Sequence, residues 1–147
     1  MLISPSALSH SVQAATVSVT QLALPVNHGG LLVRPTASHR EEHACNELVR
    51  RMYAWRGYLT EPASTHLSHD RITLAAWRDG ELAATLTLSR DNGSNLLAEA
   101  LYPTEIADLR SKERVICEYS RLAIDPVTSS TQLMEHFFRM AYDLAKS

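Results

Sequence analysis

The chain has 147 residues, the size of a single domain that can bury a core of its own. Its formal net charge of -2, with no basic stripe interleaved with aromatic residues, argues against nucleic acid as a partner. No apolar run approaches the roughly 18 residues that a transmembrane helix needs, and the amino terminus lacks the positive region of a signal peptide. Cys45 and Cys117 are therefore expected to be reduced, buried thiols in a cytoplasmic protein.

The amino-terminal stretch carries no charged side chain before Arg34 and is interrupted by Pro5, Pro25 and two glycines. Residues 15–24 could add an edge strand, but the composition favours a flexible arm. We therefore divide the chain into an arm at residues 1–30 and a domain at residues 31–147.

The first predicted elements of the domain are a strand over residues 30–35 and a helix. Ser38 and Glu41 have the spacing of a capping box, in which each side chain meets an orphan backbone N–H. Apolar residues follow at helical spacing until Gly57, a plausible helix stop. Residues 61–70 show little periodicity and are predicted to be a loop.

A hairpin is the clearest prediction. Residues 71–78 and 81–90 alternate in the manner of strands, and Asp79-Gly80 between them is a preferred pair for a two-residue type I′ turn. A short helix over residues 103–110 is expected next, with Pro103 near its start.

The segment Val115–Ile124 has apolar residues on both faces, which predicts a buried central strand. Glu118 and Arg121 lie within it, and a buried carboxylate must be paired, hydrogen-bonded or neutralised. Two interpretations stay open: a carboxylate tuned to act as a general base, or a structural Glu–Arg ion pair. A last helix follows, with a second capping box at residues 129–132 and an apolar stripe through Leu133, Phe137 and Leu144. The order of elements predicts an α/β, or layered α+β, fold.

This order resembles the first two-thirds of the GNAT acyltransferase fold. Within that fold, Glu118-x-x-Arg121 is similar to the E-x-S-R-hydrophobic signature of autoinducer synthases and of the related long-chain N-acyl amino acid synthases. Three other segments also resemble this branch: Arg51-Met52-Tyr53 with Trp55, Leu97-Ala98-Glu99 with Tyr102-Pro103, and Leu109-Arg110. The likeness spans residues 31–147. There is no clear run of paired acidic residues after the first helix, so an N-acyl amino acid product is expected rather than a homoserine lactone.

The resemblance implies an enzyme that moves a long acyl chain to the amine of an amino acid. Glu118 would act as general base, and Arg121 would either hold the acceptor carboxylate or pair with Glu118. Both side chains can serve one cleft only if a bulge interrupts the strand. Arg51 is a second candidate for the acceptor carboxylate, and Trp55 beside it is expected to bind substrate.

The donor is expected to be acyl-carrier protein. Acetyl-CoA-dependent GNAT enzymes have a glycine-rich turn after the signature strand, whereas residues 125–131 contain no glycine. Ser129, Ser130 and Thr131 could bind the phosphate of a carrier protein's phosphopantetheine, or they could simply cap the helix. No tightly bound cofactor is expected beyond this co-substrate, acyl-carrier protein or acyl-CoA. His66 and His69 resemble half a metal site that nothing completes, so no metal is expected.

A complete GNAT domain continues with a fifth strand, another helix and further strands, so the chain is expected to be a fragment. Two alternatives remain open: an acetyl-CoA-dependent N-acetyltransferase, and a non-catalytic module that binds acyl chains or a partner.

Overall fold

The computed structural model describes residues 26–28, 30–58, 70–94 and 96–147. These residues form one sheet flanked by helices. Its strands are β1 (Val26–His28), β2 (Leu31–Pro35), β3 (Arg71–Arg78), β4 (Glu81–Arg90) and β5 (Cys117–Ile124). The α-helices are α1 (His39–Trp55), α2 (Pro103–Ser111) and α3 (Thr131–Lys146), and a 3₁₀ helix spans Leu97–Ala100. The predicted fold class is confirmed.

The strands are arranged in chain order, and each pairs antiparallel with its neighbours in sequence. β1 falls within the segment predicted to be a flexible arm, so that prediction is wrong for Val26–His28, which pair with β2. Residues 1–25 of the predicted arm lie outside the described residues.

The hairpin of β3 and β4 forms as predicted. Asp79 and Gly80 have φ angles of 51° and 84°, both in the left-handed region that a type I′ turn requires. The N–H of Asp79 also donates to the carbonyl of Gly30 at 2.8 Å, so the turn is tied to the start of β2.

A serine caps each of the two helices for which a box was predicted, but in the segment 129–132 the cap is Ser130 rather than the first serine. The hydroxyl of Ser38 accepts from the N–H of Glu41 at 3.3 Å, and that of Ser130 accepts from the N–H of Leu133 at 3.2 Å. Glu41 does not complete the box as predicted. Its carboxylate accepts from the N–H of Ala37 at 2.8 Å, because Arg34 on β2 draws it away from Ser38 with an ion pair of 2.7 Å.

The apolar core lies between the sheet and α3. The buried stripe on α3 consists of Leu133, Phe137, Ala141 and Leu144. It packs against the side chains that β3 and β4 direct to this face, including Leu74, Leu86 and Leu88. This arrangement confirms the predicted stripe as core.

The opposite face of the sheet, which α1 covers, is polar on β4. Thr85, Thr87 and Ser89 are all buried on this side, at 1%, 3% and 7% exposure. Thr85 satisfies its hydroxyl by donating to the carbonyl of Leu74 at 3.1 Å. β4 is thus buried on both faces, apolar toward α3 and polar toward α1.

β5 differs from its prediction in two respects. It begins at Cys117 rather than Val115, which is 82% exposed, and it forms the edge of the sheet as described rather than a central strand. Of its eight residues, only Ala123 is buried. Apolar residues on both faces of a strand indicate that other layers cover it above and below. They do not indicate whether another strand pairs with it on each side.

Candidate active site

A bulge interrupts the pairing of β4 and β5 at the predicted signature. Thr87 stands opposite Ser120 and Thr85 opposite Ala123, so two residues of β5 face the single residue Leu86. Arg121, one of the two, has φ of 55°, which is uncommon for any residue other than glycine. Because side chains alternate along a strand, such a bulge is necessary for Glu118 and Arg121 to serve one cleft.

Glu118 points to the α1 side of the sheet. It stands opposite Ser89 in the ladder, and directly opposed residues share a face. One carboxylate oxygen, Oε1, accepts from the N–H of Leu97 at 2.8 Å, and Oε2 accepts from the N–H of Ala98 at 3.0 Å. Glu118 therefore caps the 3₁₀ helix from a different part of the chain.

Arg121 is also on the α1 side, where its Nη2 donates to Oδ1 of Asn46 at 2.8 Å. The side chain is half-buried, and this desolvation lowers the pKa of Arg121, an effect that the positive charge of Arg71 increases. Arg121 and Glu118 do not pair, so the structural ion pair considered from the sequence is not formed. Within the described residues, Arg121 has no ion-pair partner.

Arg110 has a role that the sequence analysis missed. It projects from α2 between two carboxylates, with Nε 2.7 Å from Oδ2 of Asp91 and Nη1 2.6 Å from Oε1 of Glu99. The guanidinium lowers the pKa of both carboxyl groups by hydrogen bonding to their ionised forms. Glu99 and Arg110 had been noted only as part of the family resemblance, which was the available signal.

Arg51 and Trp55 lie at the carboxyl end of α1, away from Arg121. Nη2 of Arg51 is 2.6 Å from Oδ2 of Asp125, in the turn between β5 and α3. The other oxygen of Asp125 accepts from the N–H of Val127 at 2.9 Å. Arg51 thus joins α1 to this turn, and its predicted role in binding the acceptor carboxylate stays a prediction.

The residues predicted to bind the donor phosphate surround the start of α3. The hydroxyl of Ser130 caps the helix, and the N–H of Ser129 donates to the carbonyl of Asp125 at 3.0 Å. Thr131 is the first helical residue. Helix capping therefore accounts for Ser130, whereas phosphate binding by Ser129, Ser130 and Thr131 stays a prediction.

Two pockets lie on either side of the exposed edge of β5. One, of about 630 Å³, is lined by Trp55 and neighbouring residues of α1, by the end of β5 and by Pro126. The other, of about 480 Å³, is lined by Arg121 and by aromatic residues of β5 and α3. Tyr53 and Leu122 border both. No sequence pattern predicted this pair of largely apolar pockets.

The two thiols and the two histidines complete the set of residues considered from the sequence. Cys45 is buried, which raises the pKa of its thiol to about 11, and Cys117 packs at the border of the apolar core. No three metal-binding side chains cluster in the described part of the chain; His66 and His69 lie outside it. No helix in the described ranges is long and apolar enough to cross a membrane.

Comparison with known proteins identifies the family. No curated protein matches the sequence. Among solved structures, FeeM, an N-acyl amino acid synthase from uncultured soil microbes, is similar with a TM-score of 0.68 at 22% identity. The match covers 76% of this chain and 62% of FeeM, so the chain spans less than two thirds of that protein's length. The family model for the N-acyl amino acid synthase FeeM matches residues 44–147, well over half of the sequence, and the chain therefore belongs to the FeeM family of N-acyl amino acid synthases.

Proposed function

We propose that this chain is an N-acyltransferase that moves a long-chain acyl group from acyl-carrier protein to the amine of an amino acid. The single observation that carries the proposal is the bulge in β5. It brings Arg121 to the same side of the sheet as Glu118, and Arg121 lines one of the two largely apolar pockets beside β5. Membership of the FeeM family supports the general reaction.

Arg121 is proposed to hold the carboxylate of the acceptor. Its guanidinium is half-buried and uses one hydrogen bond to the neutral Asn46, so it retains donors for an anionic ligand. An arginine fork binds a carboxylate in a fixed orientation, and a partly desolvated cation gains more from doing so than an exposed one. Such binding would place the α-amine of the acceptor near β5.

Glu118 is proposed to take the proton from that amine. An α-ammonium group is mostly protonated at neutral pH and cannot attack a thioester until it is deprotonated. The two backbone bonds from Leu97 and Ala98 hold the carboxylate in place. Because a carboxylate has about four lone-pair positions, room for a proton or a bridging water remains.

The bulge itself is proposed to stabilise the oxyanion formed on attack. A bulge leaves a residue outside the regular ladder of hydrogen bonds, so its N–H is available to a ligand. Backbone N–H groups directed at a developing oxyanion contribute much of the catalysis in acyl transfer. The residues concerned are Arg121 and Leu122, which oppose Leu86.

The donor's acyl chain is proposed to occupy the pockets beside β5. Their volumes of about 630 and 480 Å³ and their largely apolar linings suit an alkyl chain better than an acetyl group. Ser129 and Thr131, with the orphan N–H groups at the start of α3, are proposed to bind the phosphopantetheine phosphate. The glycine-free turn favours acyl-carrier protein over acetyl-CoA.

Mass spectrometry of acyl transfer by the purified chain tests this proposal. Palmitoyl-carrier protein and acetyl-CoA would be offered in parallel, each with a pool of amino acids. We expect long-chain N-acyl amino acids from the carrier donor, with a loss of about 10²- to 10⁴-fold in Glu118→Gln. Glu105→Gln, at an exposed carboxylate on α2, is the matched control.

The alternatives give distinct results in the same assay. Acetylated products alone would favour an acetyl-CoA-dependent N-acetyltransferase. No product with either donor would contradict the proposal for this chain.

A further inference from the structure

We infer that Arg110 is a positioning residue for Glu118, acting through the 3₁₀ helix Leu97–Ala100. The inference rests on the proposed function, because it concerns the geometry of the proposed base. Arg110 itself contacts neither Glu118 nor the pockets beside β5.

Arg110 joins two carboxylates with four hydrogen bonds. Its Nε and Nη2 donate to Asp91 at 2.7 and 2.8 Å, and its Nη1 and Nη2 donate to Glu99 at 2.6 and 3.0 Å. Both contacts are two-pronged, a geometry that the planar guanidinium provides and a lysine ammonium does not.

The Asp91 end of this bridge is fixed to the sheet. The N–H of Asp91 donates to the carbonyl of Ile116 at 2.9 Å, which continues the pairing of β4 with the chain entering β5. Its side chain is only 10% exposed and also accepts from the N–H of Gly93 at 3.0 Å. Asp91 is therefore a rigid support for Arg110.

The Glu99 end lies in the same helical turn as the donors to Glu118. The 3₁₀ helix has no buried residue, and its cap residue Leu96 supplies no side-chain hydrogen bond. Leu96 itself is buried and anchors the entry to the turn. Beyond that point, backbone N–H groups of Leu101 and Tyr102 donate to the carbonyl of Ala98, and two side-chain contacts hold the turn from outside, Glu118 at one side and Arg110 at the other.

These contacts form a closed ring. Asp91 lies two residues beyond Ser89, and Ser89 is the partner of Glu118 in the β4–β5 ladder. The ring runs from β4 through Arg110 and the 3₁₀ helix to Glu118, and back to β4. Because the ladder fixes both ends, loss of Arg110 would release mainly the 3₁₀ helix, and with it the two donors that orient the Glu118 carboxylate.

Arg110→Lys tests the inference, with Arg50→Lys as the matched control. Arg50 also makes a two-pronged contact, with Glu47, but on the exposed face of α1. We expect amide hydrogen exchange at Leu97 and Ala98 to be at least about tenfold faster in Arg110→Lys and unchanged in the control.

Kinetics provide the second measurement. In the folded Arg110→Lys protein, kcat should fall about tenfold or more because the base is misplaced. The same substitution should cost little further activity when added to Glu118→Gln, since a residue that acts through Glu118 has nothing left to position.

Each result has a defined meaning. Unchanged exchange at Leu97 and Ala98 overturns the inference, as does faster exchange with unchanged kcat, or a full additional loss in the Glu118→Gln background. If the unsubstituted chain transfers no acyl group, the proposed function fails, and exchange alone then decides whether Arg110 holds the turn that orients Glu118.

Discussion

Replacement of Arg121 by alanine and by glycine tests the bulge on which the proposed site depends. Both substitutions remove the guanidinium and its hydrogen bond to Asn46, so the two variants share every lost contact. They differ in how readily the backbone adopts φ of 55° at position 121. A comparison of the two therefore isolates the cost of the left-handed conformation.

The expected difference follows from two opposing backbone effects. A residue with a Cβ atom pays about 1–2 kcal/mol to enter the left-handed region, which glycine enters freely. Glycine loses more conformational entropy on folding, roughly 0.5–1 kcal/mol relative to alanine. The net prediction is that Arg121→Gly is more stable than Arg121→Ala by about 0.75 kcal/mol.

Urea unfolding followed by circular dichroism measures this difference. With an m-value of about 2 kcal/mol/M for a domain of this size, the midpoint for Arg121→Gly should be higher by about 0.4 M. Equal midpoints, or a higher midpoint for Arg121→Ala, would refute the left-handed bulge and with it the shared face of Glu118 and Arg121.

Three further predictions concern the site and the core. Leu97→Pro removes one N–H donor to Glu118 at the first position of the 3₁₀ helix, where proline is tolerated; it should cost less activity than Glu118→Gln, because it leaves the carboxylate in place. If Leu97→Pro and Glu118→Gln lost the same share of the steady-state rate, Glu118 would serve only to anchor the 3₁₀ helix. The raised pKa of buried Cys45, about 11 against 9.0 for a free thiol, means that its contribution to stability is complete below pH 9 and is lost as pH rises from 9 to 11. In urea titrations, the free energy of unfolding should therefore fall less between pH 8 and pH 10.5 for Cys45→Ala than for the unsubstituted chain. Arg51→Ala breaks an ion pair between an exposed guanidinium and the mostly buried carboxylate of Asp125, and it should lower stability by about 1 kcal/mol. Because Asp125 lies in the turn before α3, the KM for the acyl donor should rise and the KM for the amino acid should not. A raised KM for the amino acid would instead support the predicted role of Arg51 in binding the acceptor carboxylate.

Local signals in the sequence predicted most of the secondary structure. Asp79-Gly80 specified its hairpin turn, and Ser38 and Ser130 marked the starts of α1 and α3, because turns and caps depend on a few adjacent residues. The apolar stripe of α3 was equally clear, since it follows the helical period. Pairing at a distance was not predictable in this way, and β5 was placed at the centre of the sheet when it lies at its edge.

The candidate site was predictable in composition but not in contacts. Glu118 and Arg121 were identified together, and the need for a bulge between them followed from strand geometry. Their partners could not be deduced. Glu118 binds backbone N–H groups, which any sequence supplies, and Arg121 binds Asn46, which is 75 positions away along the chain.

Three of the four segments that carry the family resemblance are physically connected, which bears on why they occur together. In the segment Leu97-Ala98-Glu99, the first two residues donate backbone hydrogen bonds to Glu118, and the carboxylate of the third binds Arg110. Replacement of the side chain of Glu118, Glu99 or Arg110 leaves a polar group of another segment without its partner. The segments that resemble the FeeM family therefore include a set of residues around Glu118 that are joined to one another by hydrogen bonds. Glu99→Gln and Arg110→Lys should therefore each lower the free energy of unfolding, and the double variant should lose clearly less than the sum of the two losses, as measured by a double-mutant cycle in urea.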